Sequence, residues 1–478
     1  MKTIYRIIAL LLAVLTLTAC GGEGASDSVK LDPEAYVTDE KMITIADMPP
    51  NPFDPEAVQL YKDMGFTHWI LTEDHVAMVE NGTLSDGYKQ AIDILTEQGF
   101  EIWIRNMQND PEYFQIETEK TGSNYGTPYT LAPRDITDDF LEYENVTGFY
   151  MMDEPFQNTL EDDPATEDNE SLHPALDQLD TLIQWKNEYY PDAFWHINHV
   201  GSGSWNHWPS GTTYVDFIDA YVENVLKKVE SGGRSICMDN YPLPEGGGVI
   251  RENFLHDVLV LAHATKNYNE TAPEEQQAIM GICLQTMQDS ALKLRDITSS
   301  SDVTFQMYAG MAAGARLFEY FCYRSLEGVG LSGIIDMTGQ KRIYDHVMEA
   351  NQRAMPFERL ICAFDWVGMT VNHGSESGPE DMFEILDGML LEDTGVLKKV
   401  ESRYDTIVGC FDQNGQAGFM AVNYTAPDLN MTNVVTLTFE GCTDALVYTE
   451  EGVKQVNLVD GQVRLTLPCG AAAFVIPV

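Results

Sequence analysis

Between Met42 and Cys362, short apolar runs alternate with helix-patterned segments eight times. Runs of that length suit strands buried on both faces, and strict alternation with helices dictates a parallel sheet. The strands are predicted at Met42–Ala46, Thr67–Leu71, Phe100–Arg105, Val146–Met152, Ala193–Asn198, Arg234–Met238, Ala278–Leu284 and Arg316–Tyr323. Helices are expected over Pro55–Met64, Gly87–Gln98, near Asp138–Tyr143, and over Pro174–Glu188, Val215–Val229, Arg251–Lys266, Phe305–Ala313 and Arg342–Leu360. Eight such units in roughly 320 residues predict a (β/α)₈ TIM barrel, class α/β, over residues 42–365. A doubly wound open sheet shares the alternation, but no glycine-rich phosphate loop follows any of these runs.

The pattern changes at both ends. Over 366–478 the runs become alternating or β-branched, as in Thr406–Phe411, Gly418–Tyr424 and Val434–Phe439, with turn signals at Asn414-Gly415, Glu451-Gly452 and Asp460-Gly461. This predicts a small all-β sandwich. At the start, Lys2 and Arg6 precede an apolar run too short to span a bilayer, which reads as a signal peptide over 1–20. Its end, Leu17-Thr18-Ala19-Cys20, resembles the bacterial lipobox, and the resemblance implies a lipidated Cys20 as the first mature residue. Residues 21–41 read as a flexible tether. The expected location is extracytoplasmic, with the lipid as the sole membrane attachment.

A formal net charge of −47, from 75 acidic and 28 basic residues, opposes binding to nucleic acid and to anionic surfaces. Neutral sugars are indifferent to that field. The eight cysteines show no zinc-type spacing and no cofactor motif appears, so neither metal nor cofactor is expected; a Cys442–Cys469 disulfide is conceivable.

In such a barrel, chemistry sits where the strands end. The residues at those positions are Asp47, His75, Asn106, Asp153, Glu154, His196, Asn198, Asp239, Tyr241, Gln285 and Tyr323, with Glu319 inside the last strand and Trp205 and Trp208 in the loop after the fifth. Carboxylates, amides and aromatic rings are what binding and cleaving a sugar require. His196 and His199 lie on opposite faces of one strand, which disfavours a metal shared between them.

The run Gly148-Phe149-Tyr150-Met151-Met152-Asp153-Glu154-Pro155 resembles the fourth-strand motif of TIM-barrel glycoside hydrolases. That resemblance implies a general acid/base role for Glu154. The seventh-strand region, Gly281 to Gln288, lacks the glutamate nucleophile found in the best-known superfamily with this motif. The second carboxylate is therefore expected from Asp239, with Glu319 as the alternative. The remaining rim residues are expected to contact substrate. A rival reading is a non-catalytic glycan-binding lipoprotein on a degenerate barrel.

Overall fold

The computed structural model describes residues 30–80, 83–105, 140, 142–154, 172–204, 213–326, 330–379 and 381–478. Cys20, Asn106, Trp205 and Trp208 lie outside the described residues.

Eight parallel strands form the central sheet: β1 (Ile43–Ala46), β2 (His68–Leu71), β3 (Glu101–Ile104), β4 (Val146–Asp153), β5 (Phe194–Val200), β6 (Arg234–Asp239), β7 (Ala278–Gln285) and β8 (Leu317–Phe321). Their order is β1-β8-β7-β6-β5-β4-β3-β2. The seam between β1 and β2 is closed by two threonines. Thr67 N donates to Thr44 O (3.0 Å), and Thr44 N donates to Thr67 Oγ1 (3.1 Å). Among the described residues, seven helices follow strands: α1 (Pro55–Asp63), α2 (Asp86–Glu97), α3 (Leu172–Tyr189), α4 (Tyr214–Asn224), α5 (Phe254–Asn269), α6 (Ser300–Ala312) and α7 (Tyr344–Ala363). Local sequence sets their starts. Asp54 caps α1 ahead of Pro55, Ser85 caps α2, and Thr213 forms a capping box with Asp216 at α4. Ile45, Ile70, Trp103, Tyr150, Cys237 and Leu317 fill the barrel interior.

The C-terminal strands are β9 (Asp365–Asn372), β10 (Leu397–Ser402), β11 (Thr406–Gln413), β12 (Gln416–Asn423), β13 (Asn433–Phe439), β14 (Asp444–Thr449), β15 (Gly452–Asn457), β16 (Gln462–Leu467) and β17 (Ala472–Pro477). They form a six-stranded antiparallel sheet, β9-β11-β12-β17-β14-β15, and a three-stranded one, β10-β13-β16. Val408, Phe419, Leu437, Val447 and Val475 pack between them. The predicted Asn414-Gly415 turn joins β11 to β12 with both residues at positive φ (54° and 89°), the type I′ requirement.

The sandwich is fastened to the barrel's helices. Thr304 donates to Gly470 O (2.6 Å), and Arg353 makes a two-pronged contact with Glu450 (2.9 Å for each prong). All seven described cysteines are free, so Cys442 and Cys469 are not bridged. Each thiol donates instead to a backbone carbonyl nearby.

Candidate active site

The carboxyl-terminal ends of the strands converge on a group of ionisable side chains. Two backbone features of β4 shape it. Tyr150 and Asp153 are three residues apart, so on a regular strand they would face opposite sides. A bulge between Tyr150 and Met152 in the pairing with β5 shifts the register, and both turn inward. The Tyr150 hydroxyl then donates to Asp153 Oδ1 (3.1 Å). One residue on, Glu154 has φ of 45°. This left-handed conformation is costly for a non-glycine residue and is characteristic of functional sites.

Asp239, at the end of β6, is buried, and its Oδ2 accepts from the Tyr241 hydroxyl (3.2 Å). Its carboxyl interacts electrostatically with that of Glu154, while its Oδ1 is buried with no hydrogen-bond partner. Two neighbouring buried carboxyls resist ionising together. Burial is the first cause raising both above the ordinary carboxylate range, and for Asp239 the Glu154 charge is the second. Asp239 is raised further, because it is the deeper of the two, so it keeps its proton to higher pH than Glu154.

A second group flanks the pair. Arg105, the residue after β3, bonds Asp47 (2.5 Å) and Asp153 (3.0 Å), and its guanidinium lies 4.4 Å from the Tyr150 ring centroid. Burial pushes Asp47 up to about 6, with Asp153 adding to the rise and Arg105 opposing it. Asn198 Nδ2 also donates to Asp153 Oδ1 (3.1 Å), while Asn198 Oδ1 is buried with no hydrogen-bond partner.

Deeper in the barrel, His196 Nε2 meets Glu319 Oε2 (3.3 Å), and His196 Nδ1 pairs with Ser235 Oγ (2.7 Å). Burial lowers His196 to about 3 and raises Glu319 to about 8. Both are neutral at neutral pH. His199 points the other way, edge-on to Tyr221 of α4 (4.2 Å), as the alternation along β5 requires.

Several expected contacts move out of the site. His196 is fully buried and therefore acts only through its protein partners. Gln285 is also fully buried; it accepts from Leu243 N and donates to the carbonyls of Leu243 and Arg295, anchoring the loop after β6. Tyr323 packs against Tyr61 of α1 (5.3 Å), on the helical side of the sheet. His75 lies on the rim near Arg324, which is paired with Asp74. Arg105 joins this group of side chains without being expected there from the sequence. Its signal was an arginine closing the apolar run Ile102-Trp103-Ile104.

No protein-family model matches the chain, and no curated protein matches its sequence. Solved structures do resemble its fold. Gan42B, a GH42 β-galactosidase from G. stearothermophilus, aligns over 91% of this chain and 98% of its own, at 10% identity and a TM-score of 0.52. A β-galactosidase from Bacillus circulans sp. alkalophilus covers 92% of this chain and 99% of its own, at 8% identity and a TM-score of 0.51. An Anoxybacillus α-amylase reaches a TM-score of 0.42 at 13% identity, over 91% of this chain and 97% of its own. The architecture is thus one found among glycoside hydrolases with TIM barrels.

Proposed function

We propose that the protein is a glycoside hydrolase acting on an extracellular oligo- or polysaccharide, with Glu154 and Asp239 as its two carboxyls. The observation that carries this reading is the pair of interacting carboxyls at the ends of β4 and β6, both raised above the ordinary range, with Glu154 held at positive φ. Hydrolysis requires one protonated and one ionised carboxyl on either side of a glycosidic bond, and two carboxyls raised to different extents supply that charge state.

As substrate enters between the two carboxyls, the proton passes from Asp239 to Glu154, which arms the acid and frees the nucleophile. Asp239 then attacks the anomeric carbon while Glu154 protonates the departing oxygen. In the second half Glu154 takes a proton from water, and the resulting hydroxide displaces Asp239 from the sugar. Retaining enzymes separate their carboxyls by about 5–5.5 Å and inverting ones by about 6.5–9.5 Å. Two carboxyls that interact this strongly are nearer the first, so retention is expected. Arg105 keeps Asp47 and Asp153 in place, and Asn198 Oδ1 accepts a sugar hydroxyl. The lipobox-like Cys20 supports a surface-anchored location for this activity; Cys20→Ala would release the protein from the membrane fraction.

Product anomers read by NMR, together with two variants, test the scheme. Glu154→Gln should lose roughly three orders of magnitude or more on a natural glycoside and much less on an activated aryl glycoside, whose leaving group needs no proton. Asp239→Asn should lose rate on both. If the aryl substrate is spared by Asp239→Asn and not by Glu154→Gln, the two roles are exchanged. If wild-type protein binds glycans and cleaves none, the protein is a binding module.

A further inference from the structure

We infer that His196, Cys237 and Glu319 form a binding site for a borderline-soft divalent cation of the zinc type. The three residues project into the barrel interior from β5, β6 and β8, and each is at most 1% exposed. One nitrogen, one sulfur and one oxygen of this set lie within 4.8 Å of one another. Tetrahedral zinc holds nitrogen and oxygen at about 2.0–2.2 Å and sulfur at about 2.3 Å, which places neighbouring ligands roughly 3.3–3.7 Å apart. His196 and Glu319 already stand at 3.3 Å. The remaining closure is a side-chain adjustment.

The surroundings have the form of a ligand shell. With Nδ1–H given to Ser235 Oγ at 2.7 Å, the His196 Nε2 lone pair faces the other two donors. An imidazole, a thiolate and a carboxylate carry two negative charges, which a divalent ion neutralises in a medium that tolerates no net charge. Loading is written as the metal forming bonds to Nε2, Sγ and the carboxylate oxygen, while the Cys237 and Glu319 protons leave for solvent. A mixed nitrogen, sulfur and oxygen set selects zinc or cobalt over magnesium or calcium. The site would clamp three strands beneath the Asp47–Arg105–Asp153 group. It shares no residue with the Glu154–Asp239 pair and does not depend on the hydrolase reading.

The test is metal analysis of untagged full-length protein expressed with zinc or cobalt in the medium and desalted before measurement. The expected result is about one zinc per chain, falling at least tenfold in Cys237→Ser and in Glu319→Gln. Cobalt-grown protein should show a thiolate-to-metal charge-transfer band that Cys237→Ala abolishes and Cys283→Ala leaves intact. Wild-type metal below about a tenth of an ion per chain overturns the inference, as does full occupancy in a folded Cys237→Ser, Glu319→Gln double variant. If the variants fail to fold, the wild-type content and the presence or absence of the band decide.

Discussion

Glu319 is confined among His196, Tyr150, Asp153 and Arg105, and its carboxyl is pushed up to about 8, first by burial and then by Asp153. In the metal-free chain this has a definite sign. Below about pH 4.5 the folded and unfolded forms are both protonated, and Glu319 contributes nothing to the pH dependence. Between about 4.5 and 8 the unfolded chain ionises while the folded one keeps its proton, so stability falls as pH rises. Glu319→Gln removes that penalty, which is about 5 kcal/mol at most above pH 8. Melting temperatures of chelator-treated wild type and variant should diverge from pH 5 to 8, with wild type losing ground; a constant difference would refute the burial argument. The same residue marks how far sequence reading reaches. An apolar run ending in a polar residue locates height in the barrel, which is why the strand-end position of Asp47, Asp153, Glu154 and Asp239 is legible in the sequence. It does not locate the face. Gln285 and Tyr323 share that height with the site and turn away from it. The bulge that brings Tyr150 and Asp153 to one side is a pairing irregularity between two strands, invisible in either alone.

Helix α6 explains a different gap, between the expected Phe305–Ala313 and the observed Ser300–Ala312. Nearly every residue in it is buried, because the barrel covers one side and the sandwich the other. Without a polar face there is no 3.6-residue alternation to read, and only the Ser299 and Asp302 start signal remained. Strands β9 and β10 are illegible for related reasons: the first is interrupted by a bulge at Val367 against β11, and the second, Leu397-Lys398-Lys399-Val400, carries the charges of an edge strand. The junction around α6 leaves no room for a methyl group at Gly409 on β11. A Cβ there would stand 2.0 Å from the Ala312 carbonyl oxygen, a backbone atom that cannot swing aside. Gly409→Ala should therefore cost about 1–3 kcal/mol or more, seen as a lowered denaturation midpoint at unchanged slope. Gly378→Ala, with nothing within 4 Å, is the matched control and should be close to neutral.

The charge of the whole chain, −47, acts on any substrate that approaches it. The site reinforces this field: Asp47, Asp153 and Glu154 outnumber Arg105, which pairs with the first two, while Asp239 and Glu319 keep their protons. A neutral oligosaccharide feels neither the long-range field nor the local one. An oligosaccharide of uronic acids is repelled at distance by the surface and at contact by the mouth. The first part of that repulsion is screened by salt, with a Debye length of about 30 Å at 0.01 M and about 8 Å at 0.15 M; the second, inside a partly desolvated mouth, is screened much less. Two consequences can be measured on paired substrates of equal length. For the neutral one, KM should stay within about twofold between 10 and 150 mM salt, because no charge meets the field. For the uronate, kcat/KM should rise several-fold over the same range and still remain below that of the neutral substrate, because screening removes the long-range part alone. Salt sensitivity of the opposite sign, with the anionic substrate favoured at low salt, would require a basic subsite that overrides the field, and would assign the protein to acidic glycans.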